Sequence, residues 1–103
     1  MTKPNLPPFM QEVAARDPEF YEAVAKVMEL ANAPGALDAK TKTLISLALD
    51  ACLGSERGVM ALANRARELG ATDQEINEVL RLVYSVTGSR PLIMGNIAFS
   101  KQG

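Results

Sequence analysis

The chain has 103 residues, close to the size of one domain, so a single unit over 1–103 is expected. Eleven basic against twelve acidic residues leave a net charge of −1, which offers no bulk attraction to nucleic acid or to an anionic membrane. With no histidine and one cysteine, composition excludes Ser-His-Asp and Cys-His nucleophile systems, His-based metal sites, internal disulfides and cysteine-paired zinc, so neither a metal nor a cofactor is expected.

The opening segment carries Pro4, Pro7 and Pro8 and reads as an N-terminal arm over 1–16, with a short helix near Phe9–Ala15. It lacks the apolar core of a signal peptide, and no apolar run approaches the ~20 residues that cross a bilayer. A cytoplasmic protein with a reduced thiol, touching neither membrane nor nucleic acid, is the expectation.

Asp17-Pro18 starts the first long helix, with Asp as N-cap and Pro at the first helical position. Phe20, Val24, Val27, Met28 and Ala31 share one of its faces. Asp38 caps the next helix, in which Leu44, Ile45, Leu47, Ala48, Leu49, Ala51, Cys52 and Leu53 crowd all sides. A helix apolar all round is expected to be buried all round, which makes this the central helix. Gly54 breaks it, and Ser55 caps a helix that turns Val59, Leu62, Ala63, Ala66 and Leu69 inward up to the stop at Gly70. Thr72-Asp-Gln-Glu75 fits a capping box, followed by Ile76, Val79, Leu80 and Val83 on one face. Pro91 starts a last helix through Ile93, Met94, Ile97 and Phe99. No stretch alternates with the period of a strand, so the fold class is all-α with five to six helices. The central and last helices carry more apolar surface than a chain of this size can cover, which points to a homo-oligomer.

Leu37-Asp-Ala-Lys-Thr-Lys-Thr-Leu-Ile45, the Ala/Leu helix after it, the glycine break and Leu69-Gly-Ala-Thr-Asp-Gln-Glu-Ile76 together resemble the carboxymuconolactone decarboxylase / alkylhydroperoxidase D-like family. The similarity covers roughly residues 17–100. The resemblance implies that family's all-helical bundle and a homotrimer or homohexamer, with a small molecule as ligand. It also implies a place for the reactive groups of the redox-active members, a Glu, a Cys-x-x-Cys pair and a His. Those positions fall here on Thr43, Ser55, Gly58 and Leu62, none of which is a base, an exchangeable thiol or a proton relay. A pocket over these residues with no dithiol site is expected. A non-catalytic or ligand-binding oligomer follows, and an enzyme of altered chemistry (decarboxylase/lyase-type or monothiol peroxidase-type) is the alternative.

Cys52, Asp50 and Glu56 are the reactive candidates. Cys52 heads a C-x-x-S sequence, but at the C-terminal end of an apolar helix the thiolate is disfavoured, so it reads as a buried small hydrophobe. Asp50 interrupts an apolar helix and needs a partner or neutrality, so it reads as half of an ion pair or as a pocket-lining group. Glu56 and Arg57 diverge by about 100° on a helix, and Glu56 is expected to be the polar group nearest the pocket.

Overall fold

A computed structural model describes residues 6–88 and 93–100. Among the described residues the helices are, in order, α1 (Met10–Arg16), α2 (Pro18–Asn32), α3 (Ala39–Leu53), α4 (Glu56–Glu68) and α5 (Asp73–Thr87), then helical residues 93–95 that run into a 3-10 turn at Asn96–Phe99. The described residues contain no strand, and the chain is all-α. It divides into two compact units, Met1–Ala36 and Leu37–Gly103.

In the first unit, Asp17 ends α1 and caps α2, its Oδ1 accepting the Phe20 N–H at 3.2 Å. Met10 and Val13 of α1 are buried. No residue of α2 is buried, and its apolar Phe20, Val27 and Leu30 stand exposed.

In the second unit α3, α4 and α5 each start on a side-chain cap. Asp38 Oδ1 accepts from Thr41 N–H at 2.7 Å for α3, and Ser55 Oγ from Gly58 N–H at 3.2 Å for α4. The capping box of α5 is complete: Thr72 Oγ1 accepts from Glu75 N–H at 3.1 Å while Glu75 Oε1 accepts from Thr72 N–H at 2.9 Å. Such reciprocal caps satisfy amides that a helix start otherwise leaves open. Gly54 ends α3 in the left-handed region at φ 79°, a conformation that a Cβ would strain.

The core joins Leu47 and Ala51 of α3, Val59 and Ala63 of α4, Ile76 and Leu80 of α5, and Ala98 of the 3-10 turn. Gly95 is buried against Leu80, where an added Cβ would stand 2.5 Å from Cδ2, so only glycine lets this last segment approach α5. Arg67 pins the same segment from the other side. Its Nη2 donates to the Ala98 carbonyl at 2.9 Å, its Nε donates to Asp73 Oδ1 at 2.9 Å, and the guanidinium lies 5.6 Å from the Phe99 ring centroid.

Two expectations are corrected here. α3 buries only Leu47 and Ala51, while Ile45, Leu49, Cys52 and Leu53 are exposed. The reason is that α4 and α5 pack on one side of α3, and among the described residues of this unit no other helix packs on the opposite side. The last helix ends in a tighter 3-10 turn that its apolar residues do not suggest. Residues 93–95 are helical and 96–99 continue as 3-10, while its expected start at Pro91 lies outside the described residues.

Candidate functional site

The corner between α3 and α4 brings together Asp50, Ser55 and Gly58. Asp50 lies in the last turn of α3, and its main-chain carbonyl accepts the Ser55 N–H at 3.0 Å. Its carboxylate lies against Gly58 in the first turn of α4. A Cβ added at Gly58 would collide with Asp50 Oδ2, and would stand 2.7 Å from Asp50 Cγ and 2.8 Å from Ser55 Oγ. The carboxylate thus occupies the volume that a side chain at residue 58 would fill. Partial burial pushes the Asp50 carboxyl above the usual carboxylate range, because leaving water disfavours the charged form.

Ser55 is half-buried and holds the helix start, Gly58 brings bare backbone, and Leu62 packs against the core one turn further on. Residues 55, 58 and 62 share one face of α4 by their spacing. Thr43 stands about 10 Å up α3 from Asp50 at the rise of an α-helix. Its hydroxyl donates to the Ala39 carbonyl at 2.8 Å, so that hydroxyl serves its own helix.

Glu56 is corrected as the polar group of this corner. By spacing it continues the inner stripe of Val59, Ala63 and Ala66, but it stands at the end of that stripe and is exposed. A carboxylate at the first position of a helix stays hydrated near the positive helix end, so nothing draws it inward. Arg57 is exposed as well. Cys52 is also corrected: it is a free, exposed thiol, because its side of α3 is the side left uncovered. Among the described residues no group of three or more His, Cys, Asp or Glu could hold a metal ion, and no helix is long and apolar enough to cross a membrane.

A second feature lies on the uncovered side. An open groove of about 340 Å³ runs between α3 and α5, lined by Thr41, Leu44, Ile45, Ala48, Leu49, Val79, Leu82 and Val83. Its walls are apolar apart from the Thr41 hydroxyl. At the α3 start, Lys40 Nζ pairs with Glu75 Oε2 at 3.0 Å. The Thr72 amide first, and Lys40 next, hold the Glu75 carboxyl below its usual range. Sequence patterning missed this groove as a site. The signal was the surplus of apolar residues around α3, which pointed to a homo-oligomer rather than to a groove beside α5.

With this fold and corner in view, comparison with known proteins gives the family. The family model of the carboxymuconolactone decarboxylase family matches residues 18–91, most of the chain. The chain belongs to that family. Two uncharacterized proteins of Methanocaldococcus jannaschii are similar in sequence. One is 41% identical over 71 residues, 69% of this chain and 66% of its own length, just under two thirds. The other is 30% identical over 80 residues, 77% of each chain. Among solved structures, a carboxymuconolactone decarboxylase family protein from Legionella pneumophila, in its apo form, superposes with a TM-score of 0.78 at 26% identity, covering 87% of this chain and 80% of that one. A protein of Burkholderia xenovorans LB400 named for the same decarboxylase shares the fold, with a TM-score of 0.83 at 24% identity over 91% of this chain and 74% of its own.

Proposed function

We propose that this chain is a non-catalytic, small-molecule-binding member of its family that works as a homo-oligomer, a trimer or a hexamer. The observation that carries this reading is the use made of the α4 start. Where the resemblance sets reactive groups, Ser55 serves as a helix cap, Gly58 gives its side-chain place to Asp50, and Leu62 packs with the core. Each residue has a structural occupation, and none pairs a nucleophile with a base. The apolar groove and the exposed Ile45, Leu49, Leu53, Leu82 and Val86 support assembly, since a contiguous apolar surface of this kind is costly in water.

An enzyme of altered chemistry is the second reading. The Asp50 carboxylate beside the Ser55 hydroxyl favours its acid–base form, and the exposure of Cys52 favours its monothiol form. A thiol also needs a resolving thiol or an activating cation, and the chain has one cysteine. The test is dithiol-dependent reduction of an organic hydroperoxide by the purified chain. No turnover above buffer is expected. Turnover that disappears in Cys52→Ser would overturn the non-catalytic reading and make Cys52 the reactive group.

A further inference from the structure

We propose that the groove between α3 and α5 receives α2 of a second copy of this chain, exchanged reciprocally between two copies related by a two-fold axis. The proposal deepens the oligomeric reading above and rests on it, naming the segment that covers the apolar surface.

The first observation is that α2 is well formed and yet unburied. Asp17 caps its start, Pro18 opens it, and it packs with α1. Still, none of its residues is buried, and Phe20, Val27 and Leu30 are each more than half exposed. With Ala23, also exposed, they recur at intervals of three, four and three, which sets one apolar stripe along the helix. From residue 20 to residue 30 the stripe is about 15 Å long at the rise of an α-helix. A helix with such a stripe is the occupant that an apolar groove between two helices accepts.

The second observation is the groove itself. Its α3 wall runs from Thr41 to Leu49, about 12 Å, close to the length of the stripe. Ile45, Leu49 and Leu82 stand exposed in its walls, and Val86, one turn beyond Leu82, is exposed too. A helix satisfies its own backbone, so its stripe can enter walls that offer almost no polar partner. The charges set the orientation. Glu19, Glu22 and Glu29, with Lys26, each precede a member of the stripe by one residue and so line one of its flanks. That flank belongs toward α3, whose edge of the groove carries Lys42, and away from Glu75 and Glu78 of α5.

Area decides between arrangements. A large apolar side chain offers roughly 100 Å² by its transfer energy. Phe20, Val27 and Leu30, with the four exposed groove residues, then bury about 700 Å² when one α2 enters one groove. A single entry per interface, as in a ring of three, is the size of a weak contact. Two entries about a two-fold axis bury about 1,400 Å², inside the range of roughly 1,200–2,000 Å² that stable interfaces occupy. Three such pairs make a hexamer, so the hexamer is the assembly expected here.

The test cross-links full chains in which Cys52→Ser removes the exposed thiol. One variant carries Val27→Cys and the other Leu82→Cys, both at exposed positions. Co-expressed and treated with a short bis-maleimide, they should give a product of about 22 kDa, twice the 11.1 kDa chain, on a denaturing gel. Its yield should be roughly tenfold that of Val27→Cys paired with Asn64→Cys on the exposed side of α4, because docking raises the local concentration of the two thiols. Light scattering should give about 67 kDa for the parent, six times 11.1 kDa, and a smaller species for Val27→Lys. A yield no higher than the Asn64→Cys control would overturn the proposal. So would an unchanged mass for Val27→Lys, a parent of about 33 kDa, or a chain bearing both cysteines that closes only on itself. Assembly without the cross-link refutes this interface and leaves the oligomeric reading standing, whereas a parent at 11.1 kDa refutes both.

Discussion

α3 and α4 are neighbours of similar length, yet they spend their apolar residues differently. α4 keeps Val59, Ala63 and Ala66 on one buried stripe and turns Asn64, Arg65 and Glu68 to water, so its needs are met within the chain. α3 buries Leu47 and Ala51 and leaves Ile45, Leu49 and Leu53 exposed at 45%, 59% and 81%. The same residue types thus play two parts on one helix, core on the inner side and open surface on the outer. The difference teaches that an apolar helix need not be buried all round: among the described residues the core of this unit uses only the inner side of α3.

Substitutions on the two sides should separate sharply. Leu47→Ala, at a fully buried position, should cost about 2–5 kcal/mol in urea unfolding, through lost transfer energy and the cavity left behind. Gly95→Ala should cost about 1–3 kcal/mol, because its methyl would collide with Leu80 and force the last segment off α5. Thr72→Ala breaks the capping box and should cost about 1 kcal/mol. On the outer side, Leu49→Gln should change the unfolding of the dissociated chain by less than about 0.5 kcal/mol while lowering the mass of the assembled species. A Leu49→Gln chain as damaged as Leu47→Ala would break the comparison.

Acid should act on the two ends of α3 in opposite senses. Asp38 and Glu75, at the start of α3 and its partner helix, have lowered pKa values. Their contribution is present above the ordinary carboxylate range and is lost as pH falls through the lowered values. Asp50 has a raised pKa, so its ionisation opposes folding once pH exceeds the ordinary carboxyl value. Asp50→Asn should therefore gain stability over the parent at neutral pH, and the gain should vanish in acid. Unfolding midpoints measured from pH 3 to pH 7 would check both effects.

Much of this architecture was legible in the chain. The caps at Asp17, Asp38, Ser55 and Thr72, and the stops at Gly54 and Gly70, are short-range signals whose chemistry is local, and the helices begin and end at them. The Gly-Ala-Thr-x-x-Glu-Ile turn carried the family in the same way. The corner was less legible. That the Asp50 carboxylate would take the place of a side chain at Gly58 depends on how α3 and α4 pack, which periodicity does not encode. Glu56 misled for the same reason: its spacing fits the buried stripe of α4, but the core ends before it. The exposure of Cys52 and Leu49 was hidden too, because an apolar residue looks the same in sequence whether its own chain covers it or something else does.

The proposed homo-oligomer would set the outer side of α3 between copies, and the mass in solution tests that most directly. Light scattering on the purified chain at micromolar concentration should report about 33 or 67 kDa, three or six times the 11.1 kDa chain. A single species at 11.1 kDa over that range would contradict it.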